Sequence, residues 1–254
     1  MKPELRLFHD VEKLSRHAAN LFIEQSNRAI LERNRCLVAL NGGSTPTRLF
    51  QLLAADYREQ VNWTQIHVFW GDERCVPPTD AGSNYGQARE ALLQHVPISE
   101  NNIHRVKGEL DPNSASKDYA EILNLFAEDD LGFPRFDLVY LGMGEDGHTA
   151  SLFPGSPVQA GEAVIPVTAY YQDRPANRVT MTQLVFNRAR KVVFMVTGEK
   201  KASALAEVLS DRYNPAQLPA QRVDLNDGEL IWLVDAAAAG KLPRKIKGYR
   251  ICEG

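Results

Sequence analysis

The sequence is poor in cysteine, and what it has is scattered. Three cysteines, Cys36, Cys75 and Cys252, stand in 254 residues with no C-x-x-C pair. An odd, dispersed set excludes a disulfide framework and points to reduced thiols in the cytoplasm. Long apolar runs are missing too. The longest, such as Leu230–Val234, are five residues; a membrane-spanning helix needs ~20. The opening stretch, MKPELRLFHDVEKL, lacks the continuous apolar centre of a secretory signal. A cytoplasmic chain with no membrane partner is expected. Net positive charge is absent: 29 Lys and Arg face 32 Asp and Glu, a formal charge of −3. That removes the electrostatic case for nucleic acid. Neither H-E-x-x-H nor G-x-S-x-G occurs. Zinc hydrolysis and a serine nucleophile are therefore disfavoured, and no metal is expected.

What is present is a rhythm of strand, glycine turn and helix. Residues 11–31 place Val11, Leu14, Ala18, Leu21 and Phe22 at helical spacing. RCLVAL (35–40), IHVFW (66–70), FDLVYLGM (136–143), KVVFMVTG (191–198) and ELIWLVD (229–235) are short apolar strands. TRLFQLLAA (47–55), NYGQAREALLQHV (84–96), SKDYAEILNLFAE (116–128) and KKASALAEVLS (200–210) are helical between them. Continuous apolar strands need cover on both faces. Their alternation with helices predicts one α/β domain over 1–254: three α/β/α layers with a mainly parallel, Rossmann-like sheet. Pro154, Pro157, Pro166 and Pro175 leave 154–190 irregular in this reading. The basic stretch KLPRKIKGYR (241–250), within the C-terminal 240–254, reads as a solvated tail.

In such sheets ligands bind beyond the carboxyl ends of the strands. Four turns should converge there: NGGST, GDER, GEDGH and TGEKK. In the first, Gly42 and Gly43 permit close backbone approach, Ser44 and Thr45 offer hydroxyls, and the helix start offers free N–H groups. Together these make a phosphate cradle. The same turn also reads as a plain strand–helix connection with Ser44 or Thr45 as N-cap. Lys200 or Lys201 could add a point charge to a phosphate. In GDER, Arg74 suits an anionic oxygen; the alternative is an internal Asp72–Arg74 ion pair. Cys75, beside it, reads as a bystander thiol. Residues 142–147 fit G-x-G-x-x-G, but the prolines and glycines that follow forbid the helix a dinucleotide turn requires. The other reading of GMGEDGHTASLFPGS is acid–base chemistry. Imidazole titrates near neutrality, with an ordinary pKa of ~6.5. Asp146 or Glu145 could orient His148 to take a proton from water.

Together, NGGSTPTRLF, FWGDERCVP with SNYGQAREALL, and LGMGEDGHTASLFPGS resemble the 6-phosphogluconolactonase family, the lactonase branch of the sugar-phosphate isomerase/deaminase superfamily. The resemblance runs from about Asn41 to the helix after Lys201. It implies hydrolysis of 6-phosphoglucono-δ-lactone, the second step of the oxidative pentose phosphate pathway, with no metal and no organic cofactor. His148 would be the general base on water, with Asp146 assisting. Arg74 would contact substrate or the developing oxyanion. Gly42, Gly43, Ser44 and Thr45 would hold the phosphate with Lys201. Asp72 and Arg178 join the substrate-binding set. Asn41 stands where members of the family often carry a smaller residue. The expected partner is the small phosphosugar lactone alone, on a monomer or weak homodimer. The related deaminase motif continues after Asp-Gly-His to Asn-Glu-Pro, where this chain has Leu152, Phe153 and Pro154. The missing acid favours ester hydrolysis over ring opening and proton transfer on carbon. A third reading, a sugar-phosphate sensor of a regulator, lacks a segment for DNA binding.

Overall fold

The computed structural model describes residues 2–158 and 161–253. The chain enters through a strand that periodicity does not single out, β1 (Glu4–Phe8), and continues into α1 (Val11–Arg33). α1 begins where Asp10 accepts the Lys13 N–H, and ends at Asn34, whose φ of 58° leaves the helical path. There follow β2 (Cys36–Leu40), α2 (Ser44–Ala55), β3 (Ile66–Trp70), the short β4 (Asp72–Arg74), α3 (Asn84–Ala91) and β5 (Ile103–His104). The second half holds α4 (Pro112–Asn124), β6 (Leu138–Leu141), β7 (Val164–Thr168) and β8 (Asn177–Met181). It closes with α5 (Gln183–Phe186), β9 (Lys191–Val196), α6 (Ala202–Val208), β10 (Glu229–Asp235) and β11 (Arg250–Glu253).

Eight strands form one sheet in the order β11-β1-β10-β9-β6-β2-β3-β5, with every pairing parallel. The side chains of β2 divide by strand alternation. Cys36, Val38 and Leu40 face Leu14 and Phe22 of α1 and Leu49 and Phe50 of α2. Leu37 and Ala39 face the opposite layer, where α4 brings Tyr119 and Leu123 and α6 brings Leu205 and Val208. Each such large apolar side chain contributes ~1.5–3 kcal/mol when fully buried. The result is the three-layer α/β domain expected from the strand–helix rhythm. Among the described residues no helix is long and apolar enough to cross a membrane.

Two local expectations are corrected. The segment 154–190 is not irregular: β7 and β8 form an antiparallel hairpin, and β8 also pairs with β4, giving a second sheet in the order β4-β8-β7. Pro166 is tolerated because β7 is an edge strand, where a missing N–H costs no ladder bond. Nor is the basic stretch 241–250 a solvated tail. Ile246 is buried, Tyr249 packs against the core, and β11 joins the sheet beside β1. The buried carboxylate of Glu4 is paired with both Arg6 and Arg250, so part of the basic charge is neutralised within the fold.

At the β5 edge, the rings of His67 and His104 stack 5.4 Å apart with planes 6° from parallel. Nδ1 of His67 and Nε2 of His104 lie 3.1 Å apart, a bond that needs a lone pair on one ring. Burial, and secondarily the charge on His67, pushes the His104 pKa down to about 4, and burial lowers that of His67 too. The folded value lies below the ~6.5 of free histidine. The neutral pair therefore stabilises the fold above pH ~6.5, and its contribution is lost as pH falls through the folded value. Thermal melts at about pH 7 and about pH 5 should show a larger drop in Tm for the wild type than for His104→Phe. Equal drops would remove this pair as the cause.

Candidate active site

The four turns meet at the carboxyl edge of the main sheet around a crevice of about 360 Å³. Thr45 and Thr197 join two of them: their hydroxyl oxygens lie 2.8 Å apart, linking the turn after β2 to the turn after β9. Gly43 sits at the N-cap of α2 with φ 113°, a conformation that disfavours any side chain, and among the described residues no side chain caps the helix. Ser44 and Thr45 therefore start α2 and do not cap it. The first N–H groups of the helix are available to an anion. Gly42, Ser44 and Thr45 line the same wall. From the turn after β9, Lys200 and Lys201 both reach the crevice; Lys200 is exposed and Lys201 half-buried. Burial lowers the Lys201 pKa, opposed by the negative charge of Glu145 and Asp146.

The turn after β6 carries His148. Its Nδ1 lies 2.6 Å from Asp146 Oδ1, and its backbone N–H donates to the same oxygen at 3.1 Å. A carboxylate only accepts, so Nδ1 holds the proton and Nε2 keeps its lone pair. Burial works against the ionised form of Asp146, but the hydrogen bonds and charge of His148 outweigh it and hold its pKa below the usual carboxylate value. Of the two acids the motif offered, the imidazole thus belongs to Asp146, which stands behind the ring and off the crevice lining. Glu145 is exposed at the rim and donates its N–H to the Tyr171 hydroxyl at 3.3 Å. Phe153 lies against the imidazole with ring centroids 4.4 Å apart, and Tyr171 meets it edge-on at 4.7 Å.

β4 and β8 place Arg74 and Arg178 directly opposite each other. They are 5% and 2% exposed. Arg74 donates one N–H to the Gly82 carbonyl at 2.6 Å. Its Nε has no partner among the described residues, and neither do Nε and one terminal nitrogen of Arg178. Facing like charges repel across a ladder, and each buried, unpartnered N–H costs ~1–3 kcal/mol. An anionic oxygen in the crevice relieves both. Burial lowers the Arg178 pKa, and the nearby Asp72 charge opposes that shift. Asp72 lines the crevice with both carboxylate oxygens engaged: one accepts from Ser151 Oγ at 2.7 Å, the other from Asn84 Nδ2 at 3.1 Å. Those bonds replace the Asp72–Arg74 ion pair that the turn also allowed. Burial, with Glu73 second, raises the Cys75 pKa to about 11, so its thiol stays protonated. Among the described residues no cluster of three or more His, Cys, Asp or Glu is placed to hold a metal.

A family model described as glucosamine-6-phosphate isomerases/6-phosphogluconolactonase matches residues 9–232. The chain belongs to this family. It is 40% identical over 245 residues to a 6-phosphogluconolactonase of Synechocystis sp., covering 95% of this chain and 99% of that one. It is 38% identical over 202 residues to a 6-phosphogluconolactonase of Haemophilus influenzae, covering 79% and 85%. The crystal structure of a 6-phosphogluconolactonase from Thermotoga maritima superposes with a TM-score of 0.79 at 29% identity, covering 92% of this chain and all of that one.

Three residues on the wall of this isomerase/lactonase-family crevice escaped the motif reading. Tyr171 and Arg174 come from the loop between β7 and β8, inside the segment read as irregular. Asn84 sits in the first turn of α3; its stretch, SNYGQAREALL, carries part of the resemblance, but the motif assigns Asn84 no role. Gly144 explains the accidental dinucleotide match. A Cβ at this position would lie 2.1 Å from His148 Nδ1 and 2.5 Å from Asp146 Oδ1, so the glycine is room for the imidazole. Gly144→Ala should keep its circular dichroism spectrum and lose ~10²-fold or more in kcat by displacing the ring. A folded Gly144→Ala variant with wild-type kcat would contradict that placement.

Proposed function

We propose that the chain hydrolyses 6-phospho-D-glucono-1,5-lactone to 6-phospho-D-gluconate in the oxidative pentose phosphate pathway, by general-base activation of water. The observation that carries it is one crevice holding both a carboxylate-oriented imidazole and two facing arginines whose Nε atoms have no partner among the described residues. That pairing suits an uncharged carbonyl that becomes an oxyanion. The phosphate sits at the start of α2, against Gly42, Gly43, Ser44 and Thr45, with Lys201 as counter-charge. Lys201 fits better than Lys200 because it is half-buried beside the crevice, where water screens it less.

His148 Nε2 takes a proton from water as the water oxygen attacks the lactone carbonyl carbon. Asp146 steadies the imidazolium that forms. Arg74 and Arg178 receive the charge on the tetrahedral oxygen. Collapse re-forms the carbonyl and breaks the bond to the ring oxygen, which takes the proton back from His148. The product is a carboxylic acid that ionises at neutral pH. Neither metal nor organic cofactor has a part in this scheme. A cytoplasmic monomer or weak homodimer, with the phosphosugar lactone as its partner, completes the proposal.

Acid release from freshly made lactone, run beside ammonia release from glucosamine 6-phosphate, separates the reading from its deaminase relative; only the first should respond. Ammonia release alone would sink the proposal. Loss of a general base removes ~10²–10⁴ in rate. His148→Ala should fall to near the spontaneous rate while still binding 6-phosphogluconate, and near-normal turnover would remove His148 as the base. Lys201→Ala should chiefly raise KM for the lactone. An unchanged KM would strip Lys201 of the phosphate.

A further inference from the structure

Arg222 ends a short helical turn, Pro219–Arg222, well outside the four chemical turns. It is 4% exposed. Its guanidinium makes four hydrogen bonds, all to one neighbouring pair of loops. Nε donates to the Pro215 carbonyl at 2.7 Å; one terminal nitrogen donates to Ser156 Oγ and the Pro157 carbonyl, both at 3.0 Å; the other donates to the Ser156 carbonyl at 3.0 Å. No carboxylate pairs with it among the described residues. Burial accordingly lowers its pKa. A buried cation without a counter-ion is unfavourable, and a neutral side chain would join two loops more cheaply. What the guanidinium adds is a rigid planar fork that fixes several carbonyls at once.

Two of those carbonyls, of Ser156 and Pro157, belong to the loop that carries His148. Ser156 Oγ accepts from Arg222 and donates to the Phe153 carbonyl at 2.6 Å. The same 215–222 segment grips the loop twice more: Ala220 N–H donates to the Gly147 carbonyl at 2.9 Å, and Gly155 N–H donates to the Ala216 carbonyl at 2.8 Å. Between these anchors stands Phe153. One neighbour of its ring is the His148 imidazole at 4.4 Å; another is the Arg178 guanidinium, 5.3 Å from the ring centre. One aromatic ring thus sets the place of the imidazole and of one of the two facing arginines.

We propose that Arg222 is a positioning residue for the reaction: it clasps Ser156 and Pro157 so that Phe153 is held against both His148 and Arg178. The inference rests on His148 acting as the base. Arg222 is absent from the crevice lining, so it acts on the reaction indirectly, through the loop its guanidinium holds.

The test is steady-state kinetics on fresh lactone with the full chain, comparing Arg222→Met, Arg222→Lys, Phe153→Leu and the double variant Arg222→Met/Phe153→Leu. Arg222→Met should lose ~10-fold or more in kcat with KM within ~2-fold of wild type. Arg222→Lys, which keeps charge and some donors, should recover part of that loss. The double variant should be no slower than its slower single, because both changes release the same ring. A folded Arg222→Met with wild-type kcat, or losses that multiply in the double variant, overturns the clasp. If Arg222→Met does not fold, Ser156→Ala and Arg222→Lys carry the same comparison. In them, a fall in kcat at constant KM supports the clasp, and a fall in Tm alone overturns it. His148→Ala keeps the two readings apart. If it is active, the base assignment fails. If it is inactive while Arg222→Met turns over normally, only the clasp fails.

Discussion

The site depends on one constraint: every strand of the main sheet runs the same way. A parallel strand must return over the sheet before the next begins, so all its forward turns emerge on one edge. β2, β3, β6 and β9 are mostly apolar. Their ends deliver Gly42, Asp72, Gly142 and Thr197 to neighbouring points on that edge. Separation along the chain then ceases to matter. Thr45 and Thr197 are 152 residues apart and share a hydrogen bond. No single turn could bind a phosphate and also place a base. The sheet lets each turn supply one part.

The second constraint is electrostatic. The chain is acidic overall, at −3. Yet among the described residues Arg74, Arg174, Arg178, Lys200 and Lys201 line the crevice against only Asp72 and Glu145. Concentrating cations in a concave, poorly screened place costs stability, which the ligand's negative charge offsets on binding. Composition averages this away, because local excess and distant deficit cancel. The small second sheet matters for the same reason. The pairing of β4 with β8 alone sets Arg74 and Arg178 face to face. Glu73, between Asp72 and Arg74, points the opposite way and accepts the Arg74, Asn84 and Tyr85 N–H groups, tying the crevice strand to α3. Burial raises its pKa in spite of those bonds.

What was legible in the sequence followed from period and from turn chemistry. IHVFW and ELIWLVD are β3 and β10 residue for residue, because an apolar run flanked by polar turns has few other solutions. The four turns were legible because glycine, hydroxyl and charge cluster at strand ends. β1 was missed because ELRLF mixes charge into an interior strand. There Glu4 is buried and its charge met by its neighbour Arg6 and by Arg250, which is 246 residues away. The β7–β8 hairpin was missed because prolines argue against strands in general but not against an edge. Tyr171 and Arg174 went with it. Arg222 left no local trace: its four acceptors are fixed by tertiary contact, so nothing in its own neighbourhood could announce them.

Phe153 ties the chemistry to the fold. It occupies the position at which the related deaminase motif carries an acid, and its ring lies between the imidazole and Arg178. Moving a proton on carbon calls for a second titrating group beside the base. Lactone hydrolysis does not. One imidazole can take the proton from water and return it to the leaving oxygen, provided fixed cations hold the charge in between. A carboxylate at this point would face Arg178, pair with it, and take up its free N–H donors. An aromatic face holds the guanidinium without consuming its N–H donors, and among the described residues Nε and one terminal nitrogen of Arg178 have no partner. The ring is therefore more than the absence of an acid. It keeps the arginine both positioned and free to donate, which the acid could not have done.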